Sequence, residues 1–115
     1  MKAEARIILP THDNDGMDLK GVHREFKLRL VREFGGFTAM RAEGGWYSED
    51  EMMLYAEDVI LYDVAVDEDN DDLERLFQIA DEYCGKASQH CIYVRGPNMR
   101  VQFVTHTPFA AEIAA

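Results

Sequence analysis

The 115-residue sequence predicts an α+β fold, a ferredoxin-like βαββαβ two-layer sandwich with a strand added by a C-terminal hairpin. Three observations lead there. Two separate stretches carry apolar residues at helical spacing. β-rich runs lie before, between and after them. No apolar run approaches the roughly 20 residues of a membrane span. A chain of this length suits one compact domain, placed at residues 1–104, with 105–115 as a tail. At 47% hydrophobic residues it can build a core.

The first strand is "EARIILP", closed by Pro10, which cannot extend a central ladder. "THDNDGM" follows as a turn, because Asn and Asp bond their own backbone and Gly16 accepts positive φ. Asp18 is placed to cap the first helix. Leu19, Val22, Phe26, Leu30 and Phe34 form its apolar stripe, and Gly35-Gly36 stops it. "FTAMRA" reads as the second strand and "EGGWYSEDEMM" as a long connection carrying Trp46. In "EDVILYDVAV", the third strand, Ile60, Tyr62, Val64 and Val66 share a face. "DEDNDD" leads into the second helix, with Asp71 and Glu74 in a capping-box pattern. Leu73, Leu76, Phe77, Ala80 and Cys84 share its inner face, and Gly85 is expected to end it. "HCIYVRGPNMRVQFV" is a hairpin around Gly96-Pro97-Asn98. The tail "THTPFAAEIAA" reads as a short helix or a frayed end.

This order favours a 4-1-3-2 sheet with both helices on one face. The other face then shows Arg6, Ile8, Leu61, Asp63, Tyr93 and Arg95. Ile8, Leu61 and Tyr93 would form an apolar centre, the expected interface of a homodimer. The alternative is that the tail or the strand 2–3 connection covers it. The same topology gathers His12, Asp13, Asp15, Trp46, His90 and Cys91 at one end of the sandwich.

Net charge is −10, from 22 acidic against 12 basic residues. Such a surface disfavours direct binding to nucleic acid or an anionic membrane and suits a basic partner. Cys84 and Cys91 form no disulfide framework and read as reduced thiols. With too short an apolar stretch at the start for a signal peptide, a cytoplasmic protein is expected.

Motifs for chemistry are sparse. "DNDGMD" fails as a calcium loop, since the sixth position from Asp13 is Asp18 and the twelfth is Arg24. HExxH, GxSxG, GxGxxG and a Walker loop do not occur. No cofactor is expected. The remaining metal candidates are His12, Asp13, Asp15 and His90. His23 falls on the apolar stripe and reads as a structural core histidine. Cys84 reads as a small hydrophobe.

The run "FGGFTAMRAEGGW", followed by "VILYDVAV", a helix and "CIYV", resembles small bacterial and phage α+β proteins without an established activity. They share a Gly-aromatic-Thr stretch and a later Gly-Trp. The resemblance covers roughly residues 5–104. It implies the same fold and an origin in phage or mobile elements, and it carries no site residue.

The expected function is therefore a non-enzymatic, acidic protein-interaction module. Its partner surface would be Trp46, Tyr47, Glu49, Asp50 and Glu51 with Asp67, Glu68, Asp69, Asp71 and Asp72. The concrete form is a phage inhibitor occupying the basic surface of a host nucleic-acid-binding protein. The alternative is a small-ligand or metal-binding domain with its site at His12, Asp13 and Asp15.

Overall fold

The computed structural model describes residues 1–106. The elements are β1 (Lys2–Pro10), α1 (Lys20–Phe34), β2 (Thr38–Ser48), β3 (Met53–Asp67), α2 (Asp72–Lys86), β4 (Ile92–Arg95), a 3-10 turn at Pro97–Met99 and β5 (Val101–Val104). The fold is α+β, a five-stranded antiparallel sheet with two helices. Sheet order is β2-β3-β1-β4-β5. Part of the predicted tail, residues 107–115, lies outside the described residues. Among those described, no helix is long and apolar enough to cross a membrane.

Alternation decides which face is buried. Ala5, Ile7 and Leu9 of β1 lie in register with Val64, Tyr62 and Ile60 of β3, and Ile7 also faces Val94 of β4. These side chains meet Phe26 and Leu30 of α1 and Leu76, Ile79, Ala80 and Tyr83 of α2 in one core. Both helices therefore cover the same face. Phe26 joins the layers, its ring standing edge-on to Tyr62 and to Tyr83 with centroids 4.9 Å away in each case.

Four local expectations are corrected. The strand 2–3 connection is not a loop. β2 runs to Ser48 and β3 starts at Met53, so only residues 49–52 turn. Trp46, Tyr47, Leu54 and Tyr55 are good strand formers, and pairing them outweighs the glycines between. Gly45 fits because a Cβ there would sit 3.3 Å from the Tyr55 carbonyl oxygen. Gly85 does not end the second helix, which continues to Lys86. The Asp71–Glu74 capping box does not form. Asp71 makes no cap bond, and Asp72 instead accepts the Asp67 backbone N–H at 2.8 Å. Asp18 acts one residue earlier than expected. Helix α1 starts at Lys20 behind Leu19, and the Asp18 carboxylate accepts the Lys20 N–H at 2.7 Å.

His23 is a buried core histidine, as its place on the stripe predicted. Its Nε2 lies 2.7 Å from the Pro10 carbonyl oxygen and its Nδ1 lies 2.6 Å from the Tyr62 hydroxyl. A carbonyl only accepts, so Nε2 carries the proton. Nδ1 is then the acceptor, and Tyr62 donates to it. Burial holds the imidazole below its ordinary value, with the nearby Lys27 acting in the same direction against the Pro10 bond. Burial also pushes the Tyr62 phenol up to about 12.

Two outcomes follow from this core. Phe26→Ala removes the shared ring and is expected to cost about 3–5 kcal/mol in urea unfolding. A loss below about 1 kcal/mol would show that the layers do not depend on it. For His23, a lowered native value means the unfolded chain binds the proton first. Its stabilisation is present above the unfolded value of about 6.5 and is lost as pH falls toward the native value. Wild type is expected to lose stability over that window more steeply than His23→Gln. Parallel curves for the two proteins would contradict the neutral, bridging histidine.

Candidate functional site

Residues beyond the end of β1 belong to the β2–β3 ribbon alone. Pro10 pairs with Val59, so the part of β3 before Val59 pairs only with β2. This ribbon has two sides, and each builds a different environment.

On the side away from the helices, cross-strand pairs form a row through all five strands. Met40 faces Leu61, Leu61 faces Ile8, Ile8 faces Tyr93 and Tyr93 faces Phe103. The three residues expected at a dimer interface, Ile8, Leu61 and Tyr93, are thus contiguous and half-buried. Next to them Arg6 and Asp63 pair through two bonds of 2.7 and 2.9 Å. That guanidinium holds the Asp63 carboxyl below its ordinary value.

The row continues up the ribbon through Ala42 and Val59, then Gly44 and Glu57, then Trp46 and Tyr55. Trp46 and Tyr55 stack with centroids 4.6 Å apart. Trp46 remains 56% exposed, so it does not plug the core. Glu57 stands beside this stack, opposite a glycine that offers no side chain. It keeps solvent access, so its desolvation is partial. Even so, loss of water raises its carboxyl above the ordinary value, the one such upward shift among the described carboxylates. A carboxylate beside exposed aromatic rings is suited to a cation.

On the helix side, the ribbon and α1 enclose a cleft of about 660 Å³. Its walls are Lys20, Arg24, Lys27 and Leu28 of α1 and Arg41, Asp58 and Ile60 of the ribbon. Thr11, His12, Asp18 and His23 complete it.

The predicted gathering at this end is partial. His12 lines the cleft, with Thr11 Oγ1 2.9 Å from its Nδ1. Asp13 does not face it as a ligand, because its carboxylate accepts the N–H groups of Asp15 and Met17 at 2.9 Å each. The turn meets the α2–β4 connection through Asn14, which donates to the Ser88 carbonyl at 3.3 Å. Asp15, His90 and Cys91 are exposed. Among the described residues no three His, Cys, Asp or Glu side chains are grouped to hold a metal ion.

The acidic residues singled out by sequence fall into two sets. Glu49, Asp50 and Glu51 are exposed at the ribbon turn, next to exposed Tyr47. Glu68, Asp69 and Asp71 are exposed before α2. Asp72 is not available to a partner, being 4% exposed and engaged with Arg75 and the Asp67 backbone. Asp67 is half-buried and accepts the Asp69 N–H at 2.9 Å. Glu57 was missed by sequence reasoning. The missing signal was the strand state of "EGGWYS", which alone puts Glu57 and Trp46 on one face.

No family model and no curated protein sequence matches the chain. Solved structures do. A phage SAM lyase in complex with S-methyl-5'-thioadenosine superposes with a TM-score of 0.68 at 14% identity, over 92% of this chain and 91% of that one. A phage SAM lyase in the apo state gives 0.63 at 16% identity, over 92% and 90%. At these identities the likeness shows a shared fold. It overturns the expectation of a non-enzymatic interaction module, and with it the inhibitor of a nucleic-acid-binding protein. An architecture matched over nearly its whole length is one that carries an enzyme.

Proposed function

We propose that this chain is a lyase that cleaves SAM (S-adenosylmethionine) and releases S-methyl-5'-thioadenosine. The observation that carries the reading is the end-to-end likeness to a SAM lyase holding that thioether. The strand order and one-sided helices support placing the fold in the ferredoxin-like class. The phage source of both neighbours supports a phage or mobile-element origin.

The chemistry asks for little acid–base machinery. A sulfonium leaves as a neutral thioether, with the bonding pair on sulfur, so no proton need be supplied to it. The site must hold a cation, orient a purine and limit water. Glu57, Trp46 and Tyr55 offer the first two of these functions on one surface. The carboxylate faces the cationic part of the substrate, and the exposed ring faces bind a sulfonium or stack on adenine. In this elimination Glu57 takes a proton from the carbon next to the one bonded to sulfur. That C–H pair becomes the C=C bond of the four-carbon product, and the C–S pair leaves on sulfur. The face is open, and a second copy of the chain across Ile8, Leu61 and Tyr93 is the proposed closure.

The test is incubation of the purified chain with SAM and detection of S-methyl-5'-thioadenosine by mass spectrometry. Product is expected from wild type, with a rate about 10²-fold lower or less in Glu57→Gln. Activity is expected to fall as the raised Glu57 carboxyl protonates, at a pH above the ordinary carboxylate range. Folded wild-type protein that yields no thioether would refute the lyase reading. Full activity in Glu57→Gln would move the site elsewhere.

A further inference from the structure

The helix-side cleft carries a charge opposite to that of the molecule. The chain as a whole stands at −10. The cleft holds four cations, Lys20, Arg24, Lys27 and Arg41, against the carboxylates of Asp18 and Asp58. Several bases outside it are paired: Arg6 with Asp63, Arg29 with Glu33 and Glu82, Arg75 with Glu33, Asp71 and Asp72, and Lys86 with Glu25. Among the described residues none of the four cleft cations makes an ion pair. In a chain with 22 acids against 12 bases, four bases against two carboxylates make a local excess of positive charge, which attracts an anion.

Geometry supports the same conclusion. Lys20, Arg24 and Lys27 recur at four- and three-residue spacing, so one face of α1 presents all three. Arg41 approaches from the opposite wall, on β2. Two guanidinium groups on facing walls suit the oxygens of a phosphate. Leu28 and Ile60 add apolar wall, and a cleft of about 660 Å³ is larger than phosphate alone requires.

We propose that this cleft is a second ligand site, taking a phosphorylated small molecule of nucleotide size, its phosphate between Arg24 and Arg41. The site lies on the opposite side of the ribbon from Glu57 and does not depend on the lyase reading. The charge of its ligand also differs from that of SAM, whose sulfonium and ammonium outweigh one carboxylate.

Isothermal titration with pyrophosphate and with AMP tests it. Wild type is expected to bind both, and raising salt is expected to weaken binding. Arg24→Gln and Arg41→Gln are each expected to weaken it about tenfold. Arg100→Gln, outside the cleft, is the control and is expected to bind like wild type. Circular dichroism confirms folding of each variant, and Arg24→Lys serves if Arg24→Gln unfolds. No heat with either probe at millimolar concentration would overturn the proposal. So would wild-type affinity in both cleft variants, or tighter binding of a single-stranded oligonucleotide than of AMP.

Discussion

The pairing of β3 with β1 is the constraint on which the rest of this molecule depends. Nine residues of β1 lie against the C-terminal part of β3, from Lys2 opposite Asp67 to Pro10 opposite Val59. That register turns Tyr62, Val64 and Val66 toward the helices. A slip by one residue would send them to solvent and bury Asp63 and Leu61 instead. The same strand continues past Pro10 without a break. Its period therefore also dictates the other half, placing Tyr55 and Glu57 on the open side and Asp58 in the cleft. A core requirement at one end of β3 aims the candidate chemistry at the other.

Tyr62 shows how the two halves are tied. Its ring packs edge-on against Phe26 and Phe37, and its hydroxyl donates to His23. His23 in turn holds the Pro10 carbonyl, the point at which β1 ends and the cleft-lining Thr11 and His12 begin. One buried hydrogen-bonded chain thus joins β3, α1 and the β1–α1 turn. Arg6 and Asp63 serve the open face in a comparable way, neutralising each other between the apolar row and the next.

Much of the fold was legible from residue order. The stripe of α1, the alternation of Ile60 to Val66, the hairpin around Gly96-Pro97-Asn98 and the open face all rest on local periodicity. So does the buried place of His23. What was not legible depended on pairing. "EGGWYS" carries two adjacent glycines, which locally read as loop, and only eleven paired positions with β3 make it strand. Glu57 lies in the segment read as the third strand, but its place beside Trp46 could not be recognised while Trp46 was read as loop. The cleft was equally hidden, because Arg41 is distant in sequence from Lys20, Arg24 and Lys27. The acidic surplus drew attention to Asp67 through Asp72, yet Asp72 serves the fold through Arg75 and the Asp67 backbone.

The chain has a single tryptophan, and it stands in the proposed substrate site. Fluorescence titration with S-methyl-5'-thioadenosine therefore reports on that site without any label. A saturable change in Trp46 emission, abolished in Tyr55→Ala or Glu57→Gln, is the predicted result. Emission that does not change while calorimetry records binding would place the ligand away from the ribbon and contradict the account.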